Sequence, residues 1–240
     1  MADASPFALH EAARLGNGIV SSQAFLLLEL MYAPRQASAK DADGRLPIHW
    51  AVSANSTEIV RLLAELRDFD PDVEDDSGWS PLMIAVNVKD SEEVLSILLA
   101  KEADVNQQNH NGQTALHLVA SKGNLDVARI LFRQQPPASA RVRDKRGQYA
   151  IHRAAAAGST PMIALLLSHR SPIDATDSSG YTALHHAIAE GHGDAAVALL
   201  KAGADASKRD NDGMLAIDLA PDKEVRRFIQ RQAEQEGIEI

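Results

Sequence analysis

A glycine recurs along this chain at nearly constant intervals. Six glycines follow one another at separations of 33 to 35 residues, each after a stretch rich in Asp or Asn: Gly44, Gly78, Gly112, Gly147, Gly180 and Gly213. Asp and Asn side chains bond to nearby backbone in tight turns, and glycine accepts the positive φ angle that such turns need. The sequence therefore predicts one turn per repeat. Repeats of this length indicate stacked supersecondary units.

Each turn leads into a helix start. In Ser80-Pro81-Leu82, Thr114-Ala115-Leu116 and Thr182-Ala183-Leu184 a hydroxyl residue can cap the first N–H groups, and Pro81 suits the first helical position. A histidine occupies the same place in five copies: His10, His49, His117, His152 and His185. Further along, apolar residues have the spacing of a helix with one buried face in 58–63, 93–99, 126–131 and 194–200. Each repeat is thus a turn, a short helix and a second helix.

This order, at a period near 33 residues, resembles the ankyrin repeat. The resemblance covers about Phe7 to Ile229. It implies an all-α ankyrin-repeat solenoid of about seven helix-turn-helix repeats in one domain, 1–240, whose histidines bond between neighbouring turns. We place the repeats at about 5–40, 41–74, 75–108, 109–143, 144–176, 177–209 and 210–232. The first and last copies are atypical, which predicts capping repeats with a polar outer face.

Composition narrows the class of protein. Aromatic residues make up 4% of the chain against 45% hydrophobic residues, which favours a core of Leu, Ile, Val and Ala. Because the chain has no cysteine, disulfides and thiolate metal sites are excluded. The net charge of −9 argues against general nucleic-acid binding. The N-terminus lacks a secretory signal pattern, and the apolar stretch 24–31 is too short to span a bilayer. We expect a soluble protein of the cytoplasm and nucleus.

Two patterns suggest chemistry but fit the repeat better. His185, His186 and His192 lie close to Asp194, as metal ligands do, yet His185 holds the repeat position and His192 lies in a turn between helices. Residues 191–196 match the glycine pattern of dinucleotide sites, but a predicted helix precedes them where a strand is required. The Ser, His and Asp residues have no triad spacing. We expect no enzyme activity, no metal and no cofactor.

The scaffold instead predicts a binding surface. In a stack of ankyrin units the turn tips and first helices line the concave side. The residue after each glycine should point there: Arg45, Trp79, Gln113, Gln148, Tyr181 and Met214. Residues after the first helices add Ser53, Lys89, Lys122 and Glu190. An exposed Trp beside Arg and Tyr has the composition of an interface hot spot. Trp50, directly after His49, fits packing and partner contact equally well.

Charge divides along the repeats. The early turns are acidic, with Asp41, Asp43, Asp70, Asp72, Glu74, Asp75 and Asp76. The turn before the fifth repeat is basic, with Arg141, Arg143, Lys145 and Arg146. Two interpretations stay open: each run is only a solvated face, or a two-signed groove selects a partner with opposite charges in matching order.

Several stretches also resemble gankyrin and its fungal counterparts: 43–50, 75–81, 152–158 and 189–196. The Trp after His49 and the Asp-Asp-x-Gly-Trp-Ser-Pro run at 75–81 are not consensus ankyrin residues. The resemblance implies an assembly chaperone of the proteasome regulatory particle, which holds the C-terminal domain of a base ATPase subunit in its groove. Arg45 and Lys122 would pair with carboxylates of that domain, Asp76 with its basic groups, and Trp79 would be an apolar anchor. The retinoblastoma-protein-binding motif of animal members is not matched at 186–190.

These arguments select one predicted partner site: Arg45, Trp50, Asp76, Trp79, Lys89, Lys122, Gln148, Arg153, Tyr181 and Glu190. We expect a monomer when the protein is free, since the caps close both ends of the apolar stack. Two alternatives remain at this point. One is a generic ankyrin-repeat adaptor whose partner is unrelated to the proteasome. The other is an enzyme or enzyme subunit, which would show a deep pocket with converging titratable groups.

Overall fold

A computed structural model describes residues 8–15 and 37–240. The predictions for Phe7 and for the apolar stretch 24–31 lie outside these residues. The described part of the chain contains twelve α-helices, one 3-10 helix and no β-strand, with a single isolated bridge between Arg209 and Leu215. The prediction of an all-α fold is confirmed. The chain divides between His110 and Asn111 into two compact units, called here the N-terminal and the C-terminal unit.

The N-terminal unit has five described helices in two rows. They are α1 Ala8–Leu15, α2 Pro47–Ser53, α3 Thr57–Ala64, α4 Pro81–Ala85 and α5 Glu92–Ala100. Helix α2 packs between α1 and α4, while α3 packs on α5. Helices α2 and α4 also pack on the second helices that follow them, α3 and α5. The apolar stripe of α3 is buried as its spacing predicts, with Ile59 and Val60 fully inaccessible.

The C-terminal unit repeats the same arrangement. Its elements are α6 Ala115–Lys122, α7 Leu125–Phe132, α8 Ala150–Ala156, α9 Thr160–Ser168, α10 Ala183–Ala189, α11 Gly193–Lys201, a 3-10 helix Ala216–Leu219 and α12 Lys223–Gln235. The first helices α6, α8 and α10 and the 3-10 helix pack in one row, and α7, α9, α11 and α12 pack in the other. Alanines such as Ala154 and Ala187, both fully buried, let the short helices approach closely.

The last repeat departs from the others as a capping repeat should. Its first helix is only a 3-10 turn, and α12 continues to Gln235, past the predicted end at 232. Asp222 caps α12 by accepting the N–H groups of Glu224 and Val225 at 2.8 Å. Only Ile229 and Ala233 of this helix are buried. The outer face of α12 is therefore polar.

Candidate functional site

The first Asp of each turn fixes the turn through one carboxylate oxygen. The Oδ1 atoms of Asp75, Asp144 and Asp177 accept the backbone N–H groups two and four residues later, at 2.8–3.0 Å. Asp41 and Asp210 make the same bonds. The glycine closes the turn at positive φ by donating to the carbonyl of its Asp. The prediction of a turn in which Asp bonds its own backbone is confirmed.

Consecutive turn tips are also joined by a backbone bond. The N–H of Asp76 donates to the carbonyl of Asp43 at 3.0 Å, and the N–H of Ser178 donates to the carbonyl of Arg146 at 2.9 Å. Lys145 donates to Asn111 in the same way, at 2.9 Å. A Cβ on Gly112 would come within 2.9 Å of the Lys145 nitrogen, so this turn also needs glycine for close approach. The tip backbone is therefore fixed, while the side chains at the tip are left to vary.

The repeat histidines hold each first helix to the next turn. The Nδ1 atoms of His49, His117 and His152 accept the N–H of the residue before the helix at 3.0–3.2 Å. Their Nε2 atoms donate to carbonyls in the next turn or in the residues just before it, at 3.0–3.2 Å. Burial lowers the pKa of all three, that of His152 to about 4. The predicted bonding between neighbouring turns is confirmed. A ring with both nitrogens engaged in this way has no lone pair for a metal.

In three turns the second oxygen of the first Asp accepts a bond from the residue that follows the repeat histidine. Trp50 Nε1 donates to Asp41 Oδ2 at 2.8 Å, and Arg153 Nη2 donates to Asp144 Oδ2 at 2.8 Å. His186 Nε2 bonds Asp177 Oδ2 at 2.9 Å. Sequence reasoning missed this pairing. Its signal is a donor side chain nine residues after Asp41, Asp144 and Asp177.

These bonds keep the buried carboxylates ionised. Burial alone would raise the pKa of Asp144, but the bond from Arg153 and the backbone N–H groups hold it below its ordinary value. The pKa of Asp177 is lowered for the same reason against the same effect of burial, by bonds from Gln148, His186 and the backbone. Trp50 and Arg153 both belong to the predicted partner site. Each side chain is partly exposed and also bonds the Asp of its own turn.

Arg45 is held in place on the N-terminal unit. Its Nε atom bonds Asp75 Oδ2 at 3.2 Å, and its Cζ atom lies 5.0 Å from the centre of the Trp50 ring. Only 32% of its side chain is exposed. The sequence predicts Arg45 on the concave side, and the structure adds a bond to the Asp of the next turn. Among the described residues no partner bonds its terminal amino groups, which can grip a carboxylate.

Three further residues of the predicted partner site lie in the N-terminal unit, and they differ in exposure and in their bonds. Trp79 is half-buried, with its N–H bonded to Asp75 and its carbonyl to His49. Asp76 is exposed, and its carboxylate lies where a Cβ on Gly44 would be. Lys89 follows α4 and is 92% exposed, 3.9 Å from Asp90. A held Arg, a half-buried Trp and exposed charges of both signs share this unit.

The C-terminal unit contains the other five predicted residues. Lys122 and Glu190 are exposed, at or next to the ends of α6 and α10. Tyr181 is half-buried, with its ring stacked on His185 at 5.4 Å. Arg153 is 21% exposed in its bond to Asp144. The structure thus leaves these four side chains at least partly accessible.

Gln148 is buried, although its position after Gly147 predicts a side chain on the concave surface. This side chain is 7% exposed and donates to Asp177 Oδ2 at 2.9 Å. Gln148 and Arg45 follow the glycine of their turns, and both reach the first Asp of the next turn. The position after glycine therefore bridges turns when its side chain is a long donor.

Other kinds of site have little support in the part of the chain that the structure describes. No group of three or more potential ligands there could hold a metal ion. No described helix has the length and apolarity needed to cross a membrane. The N-terminal unit has a cavity of about 370 Å³ whose lining includes Leu46, Ile48, Leu63 and Phe69. Six of its eleven lining residues are aliphatic, and the lining also includes Ser38, Arg67, Asp68 and Asp70.

The fold and its turn chemistry define an ankyrin-repeat protein. Models of ankyrin repeats match residues 9–109 and 116–210, and a further ankyrin model matches 88–132. The crystal structure of the ankyrin repeat domain of Bcl-3 aligns with a TM-score of 0.74 at 25% identity, covering 95% of this chain and 99% of that one. The predicted ankyrin-repeat fold is confirmed.

Two yeast proteins are similar over most of their length. "Probable 26S proteasome regulatory subunit p28" of Saccharomyces cerevisiae is 38% identical over 93% of this chain and 97% of its own. "Ankyrin repeat-containing protein C6C3.08" of Schizosaccharomyces pombe is 35% identical over 86% of this chain and 89% of its own. The chain belongs to the gankyrin family of ankyrin-repeat proteins, as a fungal-type member.

Proposed function

We propose that this protein is a non-enzymatic chaperone for assembly of the proteasome regulatory particle. The observation that carries the proposal is the alignment over 97% of a yeast protein named as a proteasome regulatory subunit. Within that role, we propose that the protein binds the C-terminal domain of a base ATPase subunit. Such a function places it in the cytoplasm and nucleus, as a monomer until it meets its partner.

The arrangement of Arg45 between Asp75 and Trp50 supports recognition of a carboxylate on the partner. Arg45 is held between Asp75 and the Trp50 ring, so little side-chain entropy is lost when its terminal amino groups bind. A planar guanidinium matches a carboxylate in a two-point bond, and a neighbouring Trp adds apolar contact. Arg45 would therefore anchor an acidic residue of the ATPase domain.

The exposed charged residues would contribute more to selectivity for the partner than to the affinity of binding. Lys89 lies four residues after the end of α4, and Lys122 is the last residue of α6, the equivalent first helix of the next repeat. Asp76 and Glu190 supply the opposite sign at exposed positions. Exposed pairs add little energy each, but they favour one orientation of the partner and speed its approach.

The test is calorimetry of the full chain against the purified ATPase domain. The double variant Arg45→Gln with Lys122→Glu changes one predicted contact in each unit. Because glutamine keeps a polar side chain beside Asp75, it avoids the like-charge contact that Glu would create there. We expect binding to weaken at least about tenfold, since Lys122→Glu places like charges in apposition.

The double variant Arg61→Gln with Arg129→Glu is the matched control. Like the Arg45/Lys122 variant, it removes one positive charge from the N-terminal unit and reverses one in the C-terminal unit. Arg61 and Arg129 lie on the second helices α3 and α7, in exposed pairs with Glu93 and Asp126. This variant should bind within about twofold of the unaltered protein. Circular dichroism checks that both variants fold. Unaltered binding by a folded Arg45/Lys122 variant would exclude the proposed face, and no binding by the unaltered protein would favour an unrelated partner.

A further inference from the structure

The turn at 144–147 presents a concentrated positive charge that the proposed function does not use. Lys145 and Arg146 are the two central residues of the turn, and both are exposed. Two more exposed arginines lie close by in sequence, Arg141 and Arg143. This concentration stands out on a chain whose net charge is −9.

The carboxylate within this turn does not balance these charges. Asp144 is buried, its Oδ1 accepts two backbone N–H groups, and its Oδ2 pairs with Arg153 at 2.8 Å. The charges of Asp144 and Arg153 neutralise each other, so Asp144 does not offset the charge of Lys145 and Arg146. Among the described residues no carboxylate lies within ion-pair distance of Lys145 or Arg146, and the tip of the following turn, Ser178 and Ser179, is uncharged. The positive charge at this tip is therefore left for solvent or for a partner.

The backbone that carries the two cations is fixed. The N–H of Lys145 donates to the carbonyl of Asn111, and the carbonyl of Arg146 accepts from Ser178, both at 2.9 Å. Half-buried Tyr149 lies next to the turn, with the Arg143 guanidinium over its ring at 5.8 Å. A rigid tip with exposed cations and an aromatic ring nearby offers both charge and apolar contact to an incoming chain.

We propose that this turn, called here the basic tip (Lys145 and Arg146), is a binding site for an acidic peptide segment of a partner protein. A nucleic acid fits less well, because neutralising its many phosphates needs cations spread along a surface. The basic tip is confined to one turn, which suits a few carboxylates in sequence. The inference stands whether or not the ATPase domain is the partner described above.

The test is fluorescence anisotropy of the full chain with a labelled peptide of alternating glutamate and glycine. The same peptide with glutamine in place of glutamate is the neutral probe. Lys145→Glu with Arg146→Glu should weaken binding of the acidic peptide at least about tenfold. Lys145→Ala with Arg146→Ala should weaken it less, because it removes attraction without adding repulsion. Added salt should weaken the binding of the unaltered protein, since exposed pairs are screened.

Arg129→Glu with Lys208→Glu is the matched control in the same unit. Both residues are exposed and lie beside carboxylates, Asp126 and Asp205. This variant carries the same net charge as the basic-tip reversal and should bind within about twofold of the unaltered protein. Equal losses in the two reversals would overturn the proposal, because they would show a response to total charge alone. Equal binding of the neutral peptide, or tighter binding of a single-stranded oligonucleotide, would overturn it as well.

Discussion

Four hydrogen bonds converge on the side chain of Asp177. Its Oδ1 accepts the N–H groups of Ser179 and Tyr181, and its Oδ2 accepts from Gln148 and His186, all at 2.9–3.0 Å. Asp177→Ala leaves four donors without their acceptor. A hydrogen bond to a charged group contributes about 1.5–3 kcal/mol, but donors near the surface regain water. We therefore expect the free energy of unfolding to fall by about 3–4 kcal/mol.

The chain itself supplies a milder substitution at this position. Asn109 stands at the same place in an earlier turn and is buried there to the same degree as the Asp residues. Asp177→Asn keeps one acceptor oxygen for the backbone N–H groups and loses the charge that Gln148 and His186 bond. It should cost about half as much as Asp177→Ala.

Urea unfolding followed by far-ultraviolet circular dichroism measures these losses. Both tryptophans, Trp50 and Trp79, lie in the N-terminal unit, so their fluorescence provides a second signal that is confined to that unit. Asp212→Ala is the matched control, since Asp212 is exposed in the next turn and should cost less than about 0.5 kcal/mol. A loss below about 1 kcal/mol for Asp177→Ala would refute the reasoning, as would an equal loss for the control.

Two further predictions concern buried side chains. Leu116 is 1% exposed, so Leu116→Ala should cost about 2–5 kcal/mol in urea unfolding, and a loss under about 0.5 kcal/mol would contradict the assigned packing. His152 has a pKa of about 4 against 6.5 when unfolded, so acid adds a proton to the unfolded chain first. Stability is then lost as the pH falls below about 6.5, and His152 alone accounts for about 2 kcal/mol between about pH 7 and pH 5. His152→Gln should flatten that slope, and an unchanged slope would show that other groups cause it.

The repeat and its turns could be predicted from the sequence because each depends on a local requirement. Gly44 has a φ of 69° and Gly147 one of 76°, which few residues other than glycine adopt. The carboxylate of Asp75 reaches N–H groups only two and four residues away. Local needs of this kind recur with the repeat and leave a periodic pattern. The bonds of the repeat histidines recur in the same way.

The roles of the site residues could be predicted only in part. Lys89 and Lys122 are exposed as their positions after the first helices predict. Arg45 and Gln148 form bonds that the sequence does not predict, because their long side chains reach a carboxylate about thirty residues away. Whether such a donor meets an acceptor depends on the packing of two turns, which no local pattern records. Of the two roles predicted for Trp50, the structure shows contacts within the chain, since its Nε1 bonds Asp41 and its ring faces Arg45. Contact with a partner stays a prediction.

The turn design explains how one fold can carry very different charges at its tips. In Asp144–Gly147 and Asp177–Gly180 the same Asp and backbone bonds form, although the two residues between them are Lys-Arg in one turn and Ser-Ser in the other. The tip side chains take no part in those bonds, so the fold does not restrict their charge. A tip whose charge is unneutralised, such as Lys145 and Arg146, therefore owes nothing to turn formation. The proposed binding of an acidic segment can therefore use these two cations without any change in the bonds that form the turn.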